Sequence, residues 1–425
     1  MSRLLAQLIS VLLLAAPVAA GADVMTITVG PGTSLIRDRD TGEDRDFVIL
    51  SLLPSYRSRT WNVSLDLNLR WDSSDGSFFK EEWSRRGDWL RPLRQLTYSS
   101  RRADLTLGLE RLTDYTLGSG QLVRGLIGDA EVQYGLPGFF LEDVVGDIRV
   151  QAAADRTVDP SVAGVAFIWG PSEALTVSLE GAVDPEAPLA FSGQFEGGRP
   201  VADSEEEVTG WGGEVSYRFL DGRVFNLTGV FRGGSLEGGA RGQGGGIRLD
   251  LDFSSFYVNR LTLRADSVSC ERGYVPAYFD ELYSLERWGL TGEPLRVQIP
   301  FGEGVPDRTM WMTSLRYALG DFFLVVLDYD RFEDGSMERA RVSIKILEEG
   351  NKGIEAFAWS RTNSEDENLF DSERNFFARV TALYNLRPHL LFKVGFDHSW
   401  AITEERGGVF PRTDFMVNLL YTISM

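Results

Sequence analysis

The segment Thr60 to Trp71 reads T-W-N-V-S-L-D-L-N-L-R-W. Trp61, Val63, Leu65, Leu67, Leu69 and Trp71 are apolar, while Asn62, Ser64, Asp66, Asn68 and Arg70 between them are polar. Strict period-two alternation puts one chemistry on each face of an extended strand and fits no helix. Length is the second constraint. Soluble strands average ~5–6 residues, whereas Trp61 to Trp71 would reach roughly 34 Å at ~3.4 Å per residue. Tilted by about 40°, that strand rises about 26 Å, close to the ~25 Å apolar band of a barrel in a bilayer. The two tryptophans then fall at the two edges of the band, where aromatic side chains collect.

The pattern recurs along the chain. Leu105, Leu107 and Leu109 alternate with Asp104, Thr106 and Glu110; Val215, Tyr217 and Phe219 alternate with Glu214, Ser216 and Arg218. Ile247, Leu249, Leu251 and Phe253 alternate with Arg248, Asp250 and Asp252, and the chain ends on Phe415, Val417, Leu419, Tyr421 and Ile423. Strands are expected at 60–71, 92–99, 103–112, 126–134, 146–153, 163–169, 173–181, 211–219, 223–232, 243–253, 257–268, 308–319, 322–331, 340–348, 353–361, 374–385, 389–400 and 412–423. That is about 18 strands (16–20), with 24–30 and 46–53 raising the number to twenty. Short turns such as Leu220-Asp221-Gly222 and Leu319-Gly320-Asp321 alternate with long polar connections at 182–210, 233–242, 269–307, 362–373 and 401–411. The Gly242–Gly246 run G-Q-G-G-G lacks the lysine of a phosphate loop and reads as a turn entering a strand.

The first 22 residues read as a signal peptide. Arg3 supplies the positive start, Leu4 to Ala16 the apolar stretch, and Ala20-Gly21-Ala22 the cleavage pattern. Residues 23–425 then form a single barrel domain with a long loop at 269–307. No later run approaches ~18 apolar residues, the length of a membrane helix.

Composition closes several alternatives. With 43 Lys+Arg against 62 Asp+Glu, the formal charge is −19, unsuited to general binding of nucleic acid. One cysteine, Cys270, excludes an intrachain disulfide, a C-x-x-C-H haem site and a four-cysteine zinc site. His389 and His398 are the only histidines. His398 and Ser399 are adjacent, so on a strand they point to opposite faces, which spoils a direct nucleophile–base pair. The chain is therefore read as a non-enzyme, with no catalytic, cofactor or metal site.

The signal peptide, the long dyad strands, the alternation of short turns with long loops, and the terminal strand F-M-V-N-L-L-Y-T-I-S-M resemble Gram-negative outer-membrane β-barrels of the porin type. The resemblance is architectural and points to no specific family. It implies an all-β fold, a transmembrane antiparallel up-and-down β-barrel in the bacterial outer membrane. It implies contact with outer-membrane lipid and with the barrel-assembly machinery. Barrels of this type commonly end in an aromatic residue; this chain ends in Met425, with Tyr421 four positions earlier.

If the apolar register faces lipid, the polar register lines the lumen. The candidate lumen-lining residues are Asp66, Arg70, Arg218, Arg248, Asp250, Asp252, Arg264, Asp266, Arg316, Asp328, Arg341, Lys345, Arg379 and Lys393. Two readings of that wall stand: a salt-bridged lining that stiffens the barrel, and charged rings that sort solutes by sign. Residues 80–102 combine Arg85, Arg86, Arg91, Arg94, Arg101 and Arg102 with Trp83, Trp89 and Tyr98. They read as an outer loop entering a strand, or as a basic constriction folded into the pore. The loop 269–307 carries Tyr274, Tyr278, Phe279, Tyr283 and Trp288 and is expected to pack into or over the pore as a constriction. The functional expectation is a channel for passive or weakly selective passage of small hydrophilic solutes. The alternative is a sheath or docking partner in an outer-membrane complex, such as an electron conduit or export assembly. A homo-oligomer or a separate partner protein fits either reading.

Overall fold

A computed structural model describes residues 24–38, 44–79, 83, 88–100, 104–112, 115–125, 136–158, 160–190, 194–196, 199–253, 259–279, 283, 306–320, 322–348, 352–362, 376–403 and 408–424. The signal peptide at 1–22, the strand expected at 126–134 and the candidate constriction residue Trp288 lie outside them. So do Arg85, Arg86, Arg101 and Arg102.

The strands are β1 (Val24–Asp38), β2 (Asp44–Arg57), β3 (Trp61–Leu65 and Leu67–Asp72, interrupted at Asp66), β4 (Leu93–Ser99), β5 (Thr106–Glu110), β6 (Gly138–Val145) and β7 (Ile148–Ala154). They continue as β8 (Ala163–Trp169), β9 (Leu175–Ala190), β10 (Ser204–Asp221), β11 (Phe225–Leu236), β12 (Arg241–Asp252), β13 (Asn259–Glu271) and β14 (Arg308–Leu319). The last six are β15 (Phe323–Phe332), β16 (Glu338–Glu348), β17 (Lys352–Thr362), β18 (Phe376–Arg387), β19 (Leu390–Thr403) and β20 (Gly408–Ser424). Each pairs antiparallel with its sequence neighbours, and β1 pairs with β20, from Thr26 opposite Ser424 to Asp38 opposite Arg412. The sheet is therefore a closed antiparallel barrel of twenty strands with no open edge in its order.

Of the twenty, β6 (Gly138–Val145) is not among the expected eighteen, of which 126–134 lies outside the described residues. The further pair expected at 24–30 and 46–53 is observed as β1 and β2. Their pattern is weak because β1 contains Gly30-Pro31-Gly32. Proline has no N–H to give a ladder, and the β1–β20 pairing breaks there, running Thr26–Val29 and then Gly32–Asp38. Gly30 and Gly32 lie hard against the backbone of Leu419 and the side chain of Asn418, where a Cβ would collide.

The connections segregate by end. At the end that carries residues 24 and 424 they span 58–60, 100–105, 146–147, 170–174, 222–224, 253–258, 320–322, 349–351 and 388–389, none longer than six residues. At the other end lie 73–92, 111–137, 191–203, 272–307 and 363–375, among shorter ones. The expected loops at 182–210, 233–242 and 401–411 contract to 191–203, 237–240 and 404–407. Strands run past the lipid edge as paired hairpins, and outside lipid they lose the one-sided apolar pattern that marks them. The glycines at 242–246 lie in the body of β12, not in a turn.

Apolar side chains stand out from the wall. Leu179, Trp211, Val215, Tyr217, Phe219, Phe231, Ile247 and Trp311 are all exposed. On β10, Trp211 and Phe219 lie eight residues apart on the same face, roughly 27 Å along a strand. Such an apolar belt, bounded by aromatic rings, suits lipid rather than water. The alternate register turns inward and is polar.

Candidate functional site

The inner wall is built from ion pairs within strands, between paired strands and across the lumen between strands that do not pair. Arg264 and Arg232 share Glu214 and Asp266. Arg341 Nε donates to Asp328 at 2.6 Å, Arg379 Nε to Asp397 at 2.6 Å, and Arg248 Nε to Asp250 at 3.0 Å. Lys345 pairs with Glu355 at 2.8 Å, Arg70 with Asp414 at 2.7 Å and Lys393 with Asp66 at 3.6 Å. Arg218 and Asp252 sit nearer the short-turn end, paired with Asp221 and Arg260. Arg316 lies in register with Thr262 and Val326. Alternation alone identifies the inward face; which charges meet depends on inter-strand register.

Two segments leave the long-connection end and fold into the lumen: Tyr115–Gly125 after β5, and Arg272–Phe279 with Tyr283 after β13. They bind each other through the backbone. Ala277 N–H donates to Gln121 O at 2.8 Å, Phe279 N–H to Leu122 O at 3.0 Å and Arg124 N–H to Phe279 O at 3.4 Å. Leu117, Leu122, Val123, Tyr274, Tyr278, Phe279 and Tyr283 are all buried in one cluster, against Ala166, Ala182, Val208, Val268, Met310 and Phe332 of the wall. Phe279 and Tyr283 meet edge to face at 4.9 Å. Burying seven such side chains contributes on the order of 10–20 kcal/mol, as an upper bound.

The wall is shaped for this insertion. A Cβ on Gly242 or Gly234 would overlap Tyr274, and one on Gly212 would crowd Gln121. Gly212, Gly234 and Gly242 are therefore the complement of the inserted segments.

Polar anchors fix the pair. Glu180 Oε1 accepts from Gln121 N–H at 2.6 Å and from the Ser119 hydroxyl at 3.1 Å. Gln121 Nε2 donates to the Tyr274 hydroxyl oxygen at 2.8 Å, and burial holds that hydroxyl's pKa above the ordinary tyrosine range. The Tyr283 hydroxyl donates to Asp184 at 2.8 Å. Arg339 Nε donates to Asp330 at 3.0 Å, and its two terminal nitrogens reach Ala277 O and Pro276 O at 3.3 and 3.1 Å. Arg124, from the first segment, closes on the same Asp330. Ala277 sits at φ 52, a left-handed conformation uncommon for a residue with a Cβ.

Four of the five aromatics read as a constriction, Tyr274, Tyr278, Phe279 and Tyr283, are thus buried inside the barrel. The first inserted segment has no such signal: Tyr115–Gly125 reads as Y-T-L-G-S-G-Q-L-V-R-G, and Tyr274, the partner of Gln121, lies 153 residues away. Arg124, Gln121, Glu180 and Arg339 carry no local signal for the same reason.

The inserted pair packs against β6 to β16 and leaves the opposite side open. There a cavity of about 450 Å³ runs along β17 to β20 and β3 to β5. Its lining includes Asp66, Arg70, Glu355, Arg379, Lys393 and Asp397. From the basic–aromatic segment 80–102, Trp83, Arg91 and Arg94 also face it.

No protein-family model matches the chain, and no curated protein matches it. Among solved structures, the chain is similar to the Pseudomonas aeruginosa protein OpdO, with 10% identity, a TM-score of 0.37 and coverage of 95% of this chain and 97% of that one. It is similar to the P. aeruginosa outer-membrane protein OprD, with 11% identity, a TM-score of 0.35 and coverage of 95% and 94%. A BenF-like porin from Pseudomonas fluorescens Pf-5 has 8% identity, a TM-score of 0.36 and coverage of 95% and 99%. Likeness at this level decides neither family nor substrate.

Proposed function

We propose that the chain is an outer-membrane channel through which small hydrophilic solutes pass along the open side of a partly filled barrel. The observation that supports this most is the division of the lumen. One side is packed by the inserted segments, and the other holds a cavity of about 450 Å³ walled by charged and polar groups. An apolar outer belt fits contact with outer-membrane lipid, and insertion would depend on the barrel-assembly machinery. Passage would be diffusive, along the charged wall of the open side. A sheath around a folded partner is the weaker reading, because the chain's own segments occupy the space such a partner would need.

The test is single-channel recording on refolded mature protein in a planar bilayer. Stepwise conductance would support the reading. Well-folded protein that never conducts would sink it.

A further inference from the structure

The outward face of the barrel is not filled evenly. Across β9 to β12, at the long-connection edge of the apolar belt, it carries a groove of about 530 Å³. Val177, Leu179, Trp211, Val215 and Phe231 wall the groove, all on the lipid-facing register. Its floor is a cross-strand pair of glycines, Gly213 opposite Gly233. The inward glycines of these strands are explained by the inserted segments, but Gly233 is not. A Cβ there would meet only Gly242 O, at 3.4 Å, an ordinary contact. Glycine inside a strand costs conformational entropy. Where no internal packing demands it, it marks a place where something outside comes close to the backbone.

Two parts of the groove set the chemistry of its occupant. The walls are apolar and open sideways into the bilayer, so an acyl chain fits between them. The rim is ionic. Arg241 begins β12 and Glu271 ends β13, directly opposite each other on the outward register, which puts their Cβ atoms about 5 Å apart. Neither side chain is in an ion pair or hydrogen bond among the described residues. Trp211, beside them on the groove wall, marks this level as that of the lipid headgroups. A guanidinium fork matches phosphate oxygens, and a carboxylate accepts hydrogen bonds from an ammonium. A cation and an anion side by side therefore complement a headgroup that carries both charges. A purely anionic headgroup would meet Glu271 as a like charge.

We infer that this groove binds one acyl chain of a zwitterionic phospholipid, with the phosphate on Arg241 and the ammonium on Glu271. The site lies on the outside of the wall and owes nothing to what passes through the lumen.

Native mass spectrometry of the detergent-solubilised full barrel reads the site, with phosphatidylethanolamine, phosphatidylglycerol and diacylglycerol as probes. The wild type should retain phosphatidylethanolamine in preference to phosphatidylglycerol, and diacylglycerol least. Gly233→Leu fills the groove from its floor and should abolish retention in a barrel that stays heat-modifiable. Arg241→Ala should weaken retention of both phospholipids on the order of tenfold, as expected for one lost charge-assisted contact. Glu271→Gln should erase the preference between them, a split that general damage to the wall would not give. These two rim variants decide the matter if Gly233→Leu fails to fold. A wild type that retains no lipid, or retains all three alike, would overturn the site, as would unchanged retention in the folded variants. So would a dimer that Gly233→Leu separates, since the groove would then seat a second copy of the chain. Conductance enters none of these outcomes, so the site and the channel can fail separately.

Discussion

At the scale of single residues, the inserted segments depend on a few buried polar contacts. Asp330 is 1% exposed and is shared by Arg124 and Arg339, which belong to an inserted segment and to the wall. Asp330→Ala leaves two guanidiniums facing each other in a buried site. Removing one partner of such a pair costs about 3–5 kcal/mol, so urea unfolding of the refolded barrel should begin at clearly lower denaturant. Asp330→Asn, which keeps the acceptor oxygen, should lose less. The glycine contacts test the same packing from the other side. Gly242→Val puts two methyl groups where the Tyr274 ring lies. Its expected outcome is a folded, heat-modifiable barrel of higher conductance, because the outer sheet can stay paired while Tyr274 is displaced. Unchanged conductance would mean that the ring simply moves aside.

At the scale of the element, period-two alternation carries nearly all the information, and its limits follow from what alternation reports. It marks the part of a strand that has lipid on one side and water on the other. β3 is legible because both conditions hold from Trp61 to Trp71. The outer half of β10 is not: Ser204-Glu205-Glu206-Glu207 reads as an acidic loop, yet it pairs with β9 from Ala190 down to Asp184, because a hairpin above the bilayer is polar on both faces. β1 is obscured differently, by the Gly30-Pro31-Gly32 run that its close approach to β20 accommodates. The second inserted segment is legible only through its aromatic content, and the first lies beyond any local pattern, since Glu180, Tyr274 and Asp330, which hold it, are far away in sequence. The face assignment itself is open to test. Leu67→Arg would place a charge on the outward register of β3 between its two tryptophans, at a cost of about 2–4 kcal/mol near the bilayer midplane. Asn68→Arg, one residue on, enters the open cavity and should be tolerated. A folding titration into vesicles that scores the two alike would reverse or abolish the membrane assignment.

At the scale of the whole molecule, twenty strands enclose a lumen wide enough to stay open to water, yet here one side is a packed core. That core is shared by two segments that contribute unequally to their own anchorage. Tyr115–Gly125 brings the links to Glu180 and Asp330, while Arg272–Phe279 brings most of the aromatic mass and accepts the Arg339 hydrogen bonds. Because they also bond each other's backbones, neither should stay docked alone. Replacing residues 115–125 with a short Gly/Ser linker removes a few anchors but takes no aromatic ring except Tyr115. Replacing 274–283 removes the rings but leaves the Glu180 anchor. If the two formed independent plugs, each replacement would raise conductance by its own increment and the double replacement by the sum. If they dock as one unit, either single replacement should release most of the lumen, and the double replacement should add little, as coupled sites do. Single-channel conductance of the three variants, each first shown to be heat-modifiable, distinguishes the cases, and simple additivity would show that the segments are not one body.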